Sequence, residues 1–309
     1  MIKQPMTKFG ALAAAILVLP SIGFAGTSTK EVKAVVEKCK ESCITGDIGI
    51  NVVSQYISRG SIFENQGAII QPYADFNFSL YKGEGALNAI SLSLGVWNSF
   101  HSRHTDAGEA SGNGTGNASA SSTRGWYEFD FTAGLAFTFA KNFTLTPSYL
   151  TFLSPNDGFA TFQGLNVKLA FDDTDFLGKF ALHPYVQVLF ELDNKTDGSS
   201  RDEGVYYEIG IAPSVPVGPV TLAFPLTLGL GSNDFYANDS GYGFFSVGTT
   251  VTYNLTCIPE CYGKWSVNAG YTYYNLGKGL KDYNTQPAND VRDYNENEHV
   301  FSGGLIVAF

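Results

Sequence analysis

The stretch Tyr127–Phe139, YEFDFTAGLAFTF, decides the fold. Its odd positions, Tyr127, Phe129, Phe131, Ala133, Leu135, Phe137 and Phe139, are apolar, while its even positions, Glu128, Asp130, Thr132, Gly134, Ala136 and Thr138, are mostly small or polar. A period of two is a β-strand with one apolar and one polar face. Ala68 to Tyr81 repeats it, setting Ile70, Ala74, Phe76, Phe78 and Leu80 against Gln71, Tyr73, Asp75, Asn77 and Ser79. Asn88 to Trp97 does the same with Ile90, Leu92, Leu94 and Val96 against Ser91, Ser93 and Gly95.

Such strands build either a soluble sandwich, whose apolar face meets a second sheet, or a transmembrane barrel, whose apolar face meets lipid. Strand length and loop asymmetry separate the two. Segments near 48–58, 67–81, 86–98, 126–140, 142–154, 160–172, 180–193, 203–215, 218–231, 241–255, 264–275 and 298–309 alternate, which makes twelve. They are long enough to cross a bilayer when tilted. Longer polar connections (59–65, 99–124, 154–160, 194–202, 232–240, 276–297) alternate with short or medium ones such as Lys82-Gly83-Glu84-Gly85, Lys141-Asn142 and Val217-Gly218. The expected fold is therefore all-β: a 12-stranded antiparallel outer-membrane β-barrel with both termini on the short-turn, periplasmic rim.

Composition supports this class. The 309 residues hold 24 Phe, 17 Tyr, 3 Trp and 34 Gly, but only 16% are charged, against about a quarter in ordinary globular chains. A net charge of −10 without a basic cluster excludes a phosphate-neutralising nucleic-acid binder. Ile209 to Asn233 carries no charge and is long enough for a membrane helix, yet Pro213, Pro216, Pro219 and Pro225 each remove a backbone donor that hydrocarbon cannot replace. Residues 1–25 read as a signal peptide, with Lys3 and Lys8, an apolar run from Phe9 to Pro20, and the small-x-small site Gly23-Phe24-Ala25. The expected organisation is a signal peptide at 1–25, a periplasmic amphipathic helix within 26–46, and the barrel over 47–309. The C-terminal pattern Ser302-x-Gly304-x-x-Val307-x-Phe309 resembles the signal that outer-membrane barrels present to the barrel-assembly machinery.

Ser54-x-Tyr56-x-x-Arg59-Gly60, then Ala68 and Gln71, Gly95-Val96-Trp97-Asn98 and Glu128-x-Asp130, together resemble the TorF-like family of outer-membrane porins. The likeness spans roughly the first half of the exported chain and departs from the family at Pro72, where a small residue is usual. It implies a barrel of the porin type.

If the large residues face lipid, the charged residues of the lumen are Arg59 at the rim, Asp75, Glu128, Asp130, Lys168, His183, Glu191 and Glu208. This acidic set predicts a mild preference for cations in a pore. Paired with Arg59 and Lys168, the same carboxylates could instead fill the lumen. Arg59, Asp75, Glu128 and Asp130 form the best local cluster, either as a constriction or as a network bracing adjacent strands.

None of His101, His104, His183 and His299 is expected beside a serine on one strand face, so no nucleophile and base are paired and the chain reads as a non-enzyme. His101-x-x-His104-x-Asp106 falls in a Ser/Gly/Ala/Asn-rich connection and reads as loop rather than metal site. No cofactor or metal is expected. Cys39 and Cys43, spaced i, i+4 on the predicted helix, are matched by Cys257 and Cys261 on the same rim. Four cysteines in an oxidising compartment allow three pairings. Cross-pairing is favoured, because a regular helix holds i, i+4 sulfurs poorly for a mutual bond. Two local bridges remain the alternative.

The expected function is passive diffusion of small polar solutes through an outer-membrane channel. The alternative is a non-conducting barrel that displays its loops. The expected partners are outer-membrane lipid, the assembly machinery and those solutes, and such a wall is also compatible with homo-oligomers.

Overall fold

The computed structural model describes residues 42–103, 124–195, 203–236, 241–280 and 296–309. Alternating residues produce strands β1 (Ile44–Val53), β2 (Tyr56–Ser58), β3 (Ser61–Glu64), β4 (Ile69–Lys82), β5 (Leu87–His101), β6 (Gly125–Phe139), β7 (Phe143–Leu153) and β8 (Phe162–Phe171). They continue as β9 (Tyr185–Asp193), β10 (Val205–Ile211), β11 (Ser214–Val217), β12 (Val220–Ala223), β13 (Leu226–Gly231), β14 (Tyr242–Asn254), β15 (Lys264–Leu276) and β16 (Asn297–Ala308).

All except β2 and β3 join one antiparallel sheet that closes on itself. The first wall strand zips to the last, with Asp47 opposite Ala308 and Val53 opposite Ser302. Two wall strands are interrupted. β10 and β11 are halves of one, broken at Ala212-Pro213, and β12 and β13 are halves of its neighbour, broken at Phe224-Pro225. Proline cannot donate to the ladder. The two breaks face each other, and the Phe224 N–H donates to the Pro213 carbonyl at 2.9 Å. Counting each broken pair once, the barrel has twelve strands, as the alternation predicts.

The burial pattern is inverted relative to a soluble protein. Ile48, Ile50, Val52, Leu135, Leu145, Leu165, Val186, Ile209, Val251 and Phe301 are exposed on the outer wall, while Ser99, Thr146 and Ser148 are buried on the inner one. An apolar belt this continuous on a free surface marks a lipid-facing wall. Inside, small residues make room for large ones across the ladder. Tyr185 lies over Gly210, its direct cross-strand partner, where any side chain would overlap the ring.

Three expectations are corrected. The first wall strand spans Ile44–Val53 rather than 48–58, and the chain then leaves the wall for the lumen. Ile44 to Gly46 belong to that strand, so the barrel expected over 47–309 begins at 44. The helical segment expected within 26–46, up to residue 41, lies with Cys39 and the signal peptide outside the described residues. Thirdly, the strand expected from 180 begins at Tyr185, after a helical turn at Thr174–Leu177 and a tighter one at Gly178–Phe180. The Asp173 carboxylate explains this start: it accepts from the backbone N–H of Leu182 and His183 at 2.9–3.0 Å, holding donors that a ladder would otherwise use.

Cys43 directly precedes β1, and Cys257 and Cys261 lie between β14 and β15; all three are exposed, with no disulfide among the described residues. Lys264 and Asp47 both pair with Ala308, so the two segments leave the same rim with β16 between them.

Ile50→Arg should cost about 2–4 kcal/mol if the outer wall lies in lipid, measured by urea unfolding from vesicles. In a soluble barrel the same exposed site would change stability by about 0.5 kcal/mol or less, and that result would overturn the membrane assignment.

Candidate functional site

The lumen is occupied from above by a hairpin. After β1 the chain makes a last link to the wall, with the Ser54 N–H donating to the Phe301 carbonyl and the Phe301 N–H to Ser54 Oγ, both at 2.9 Å. β2 and β3 then pair only with each other, as a separate two-stranded sheet. Their turn places Arg59 at φ +50° and Gly60 at φ +89°. Two consecutive positive φ values define the turn that matches strand twist in a two-residue hairpin. Glycine takes this conformation without strain, whereas arginine rarely does. A side chain on Gly60 would also overlap Leu280 and crowd Phe244, so the tip is seated against the far wall.

The hairpin is held at base and tip. At the base, the Tyr56 hydroxyl donates to Glu128 Oε2 at 2.8 Å, and its ring packs between Phe63 and Trp97 at centroid separations of 5.1 and 5.2 Å. Glu64 is fully buried. Its Oε1 accepts from the N–H groups of Asn65 and Gln66, and its Oε2 lies 3.9 Å from His101 Nδ1. At the tip, the Tyr236 hydroxyl donates to the Arg59 carbonyl at 3.1 Å. The Arg59 guanidinium lies 5.3 Å from the ring centre of Phe152 and 6.0 Å from that of Tyr206. Ile62 of the hairpin joins Phe235, Tyr236 and Leu280 from two other connections in an apolar cluster with the inward-facing Phe152, Phe162 and Phe244. The outer half of the lumen is thus packed like a protein core.

The half of the lumen toward the rim where both ends of the barrel lie differs. Ser91, Ser93, Gly134, Thr138, Thr144, Thr250, Gly270 and Gly304 line it, in register with the inner faces above. Asp47 and Asp75 are directly opposite each other across β1 and β4, and Tyr73 hydrogen-bonds to Asp47. Like charges in direct cross-strand register are unfavourable, so this pair is not a bracing element.

No family profile and no curated protein matches the chain. Among solved structures it is similar to the NanC porin (TM-score 0.43, 16% identity, 84% of this chain and 98% of that one). It is also similar to an outer membrane channel from Pseudomonas putida F1 (TM-score 0.46, 13% identity, 90% and 100%). A third similar structure is the outer membrane phospholipase A of Escherichia coli (TM-score 0.42, 14% identity, 85% and 92%). Similarity this low says nothing of activity, and the TorF-like resemblance stands on the quoted residues alone.

The predicted lumen residues are redistributed. Arg59 sits at the hairpin tip inside the barrel, not at the rim. Glu128 and Asp130 lie together beneath the hairpin, two residues apart on the inner face of β6, while Asp75 stands apart with Asp47. Neither Arg59 nor Lys168 forms an ion pair among the described residues; the Lys168 ammonium instead lies 4.1 Å from the Tyr185 ring centre. Glu208 accepts from the hydroxyls of Tyr185 and Tyr206. Glu191 pairs at 2.7 Å with the buried Lys195, which also donates to the Asp234 carbonyl. His183 is not in the lumen. It lies in the turn between β8 and β9, at φ +48°, 3.6 Å from Asp172 and 3.9 Å from Asp173.

Those three side chains could offer ligand atoms within 4.8 Å of one another, but the backbone competes for their oxygens. Asp173 accepts from Leu182 and His183, and Asp172 Oδ1 from the Thr174 N–H at 3.0 Å. Burial works to raise the Asp173 carboxyl, yet these donors and the nearby His183 more than offset it and hold it below the usual carboxylate range. The group reads as a brace for the turn.

One pairing was missed from the sequence. Ser99 and His101 are two apart on the inner face of β5, with Ser99 Oγ 2.8 Å from His101 Nε2, contrary to the expectation that no histidine stands beside a serine on one face. The alternating run 91, 93, 95, 97, 99, 101 carries the strand past its predicted end at 98. It continues to His101, and β6 accommodates it with a bulge at Tyr127. The other members of the histidine motif, His104 and Asp106, lie outside the described residues.

Tyr56→Phe removes the donor to Glu128 and leaves a buried acceptor short of a partner, a loss of about 1–3 kcal/mol. Chymotryptic cleavage after Phe63 should accelerate in this variant, while the heat-induced gel shift of the barrel stays unchanged. A wall that melts together with the hairpin would show that the two are one cooperative unit.

Proposed function

We propose that the chain is an outer-membrane channel for small polar solutes, mildly cation-preferring, whose external mouth is closed in this conformation by the β2–β3 hairpin. The observation that carries this reading is the hairpin's independence: it shares no ladder with the barrel and can leave without unpairing a wall strand. Below it, small polar side chains and the facing Asp47 and Asp75 suit a hydrated, cation-attracting passage. Outer-membrane residence is supported by the apolar belt, the export signal and Phe309. The terminal residue closes the barrel through reciprocal backbone bonds with Gly46 at 3.0 and 3.1 Å, displaying its ring beside Phe76. Solutes, outer-membrane lipid and the assembly machinery are the proposed partners.

The packed outer half of the lumen favours a second reading, a non-conducting barrel that displays its loops. Replacing Ile57–Phe63 by Gly-Ser-Gly separates the two. As a channel, this variant should give stable cation-selective steps in planar bilayers, with selectivity reduced by Asp47→Asn plus Asp75→Asn. Conductance at the lipid baseline would leave the display barrel standing.

We assign no catalysis. Ser99 is fully buried beneath the hairpin, and the Ser99–His101–Glu64 row ties the hairpin base to β5. A fluorophosphonate probe should leave Ser99 unlabelled in both the native chain and the shortened variant.

The cysteines support cross-pairing. The segments holding Cys43 and Cys257/Cys261 are separated by one strand, a lateral gap of about 10 Å that a few residues of chain can bridge. A non-reducing peptide map should show Cys39 and Cys43 linked to Cys257 and Cys261; only local pairs would overturn this.

A further inference from the structure

The Arg59 side chain occupies its seat in the manner of a ligand. Its guanidinium meets the rings of Phe152 and Tyr206, two buried residues on separate wall strands, at distances where a cation is attracted to an aromatic face. Carboxylates surround this seat without engaging the guanidinium. Asp130 is the direct cross-strand partner of Phe152, Glu128 lies beside Asp130, and Glu208 is held by the Tyr206 hydroxyl. Both Glu128 and Asp130 feel the Arg59 charge, yet no carboxylate among the described residues forms an ion pair with it. Asp130 Oδ1 is buried and has no hydrogen-bond partner. Arg59 Nη1 also donates to Ser58 Oγ of its own hairpin at 3.2 Å, so the seat itself holds the cation by ring faces and field while the Asp130 acceptor goes unused.

Moving Arg59 off its seat requires no wall strand to unpair. The residue rides on a two-residue turn, in a backbone conformation that arginine rarely adopts, and on a hairpin outside the wall ladder. A free guanidinium could take both ring faces and also donate to Asp130 Oδ1, with a planar fork suited to a carboxylate.

We propose that the Phe152–Tyr206–Asp130 seat is a recognition site for small guanidinium-bearing solutes, and that such a solute displaces Arg59 and releases the hairpin from the outer mouth. The inference rests on the channel reading for its consequence, but the displacement itself can be read without conduction. Because Arg59 is tethered through a short segment, its effective concentration at the seat is of millimolar order, so a free competitor acts at millimolar concentration.

The test uses the full chain in detergent with methylguanidinium as probe and methylurea as its neutral counterpart, following chymotryptic cleavage after Phe63 by mass spectrometry. At about 10 mM methylguanidinium, roughly tenfold its expected half-effect concentration, cleavage should accelerate about tenfold, whereas methylurea should leave it unchanged. Asp130→Asn should lose most of this response while keeping the heat-induced gel shift, and Arg59→Lys should retain it. Equal effects of the two probes, or an undiminished response in Asp130→Asn, would overturn the assignment. Conductance by the shortened variant without any guanidinium effect would leave the channel reading intact and remove only the ligand class. Displacement by methylguanidinium without conductance would instead support a ligand-binding display barrel.

Discussion

The constraint on which this structure depends is that no backbone N–H or C=O on a lipid-facing wall can be left without a partner. The pairing of Ile44–Val53 with Asn297–Ala308 meets it by joining the ends of the chain. Once those strands are zipped antiparallel, the even strand number and the common rim of both termini follow. Irregular backbone is confined to places protected from hydrocarbon. The proline breaks at 213 and 225 sit side by side and satisfy one another, and the hairpin of β2 and β3 turns inward, where its edges meet protein rather than lipid.

That inward turn gives the barrel two unlike halves. Above, aromatic side chains from the wall and from three connections form a core of the kind found in soluble proteins. Below, serine, threonine and glycine line the wall, and two aspartates face each other without a cation between them among the described residues. A core stabilises by excluding water, whereas a pair of facing carboxylates is tolerable only where water or a cation can reach it. The asymmetry suits the proposed closed channel: a plug that is held at defined points, over a lumen that remains polar.

Much of the wall was legible because lipid imposes a strict two-residue period. Phe129, Phe131 and Leu135 face out and Asp130, Thr132 and Gly134 face in, as alternation requires, and ten of the twelve strands fall close to their predicted spans. The first strand was misjudged for a local reason. Tyr56-Ile57-Ser58 alternates as well as any wall segment, and Arg59-Gly60 lacks the Asn-Gly or Asp-Gly pair that signals a hairpin turn. The Ser99–His101 contact falls beyond the predicted strand end at 98, although β5 keeps its alternation to His101 while β6 accommodates it with a bulge at Tyr127.

By itself the sequence determined the class of the protein: strand number, the inner and outer faces, the paired termini and an acidic lumen all follow from a local period and from residue types. Only the tertiary structure decided where Arg59 goes, which carboxylates share a site, and which half of the lumen is filled. Those outcomes depend on contacts between residues far apart in the chain, such as Arg59 with Phe152, Tyr206 and Tyr236. A local period carries no information about what folds back into the space it encloses.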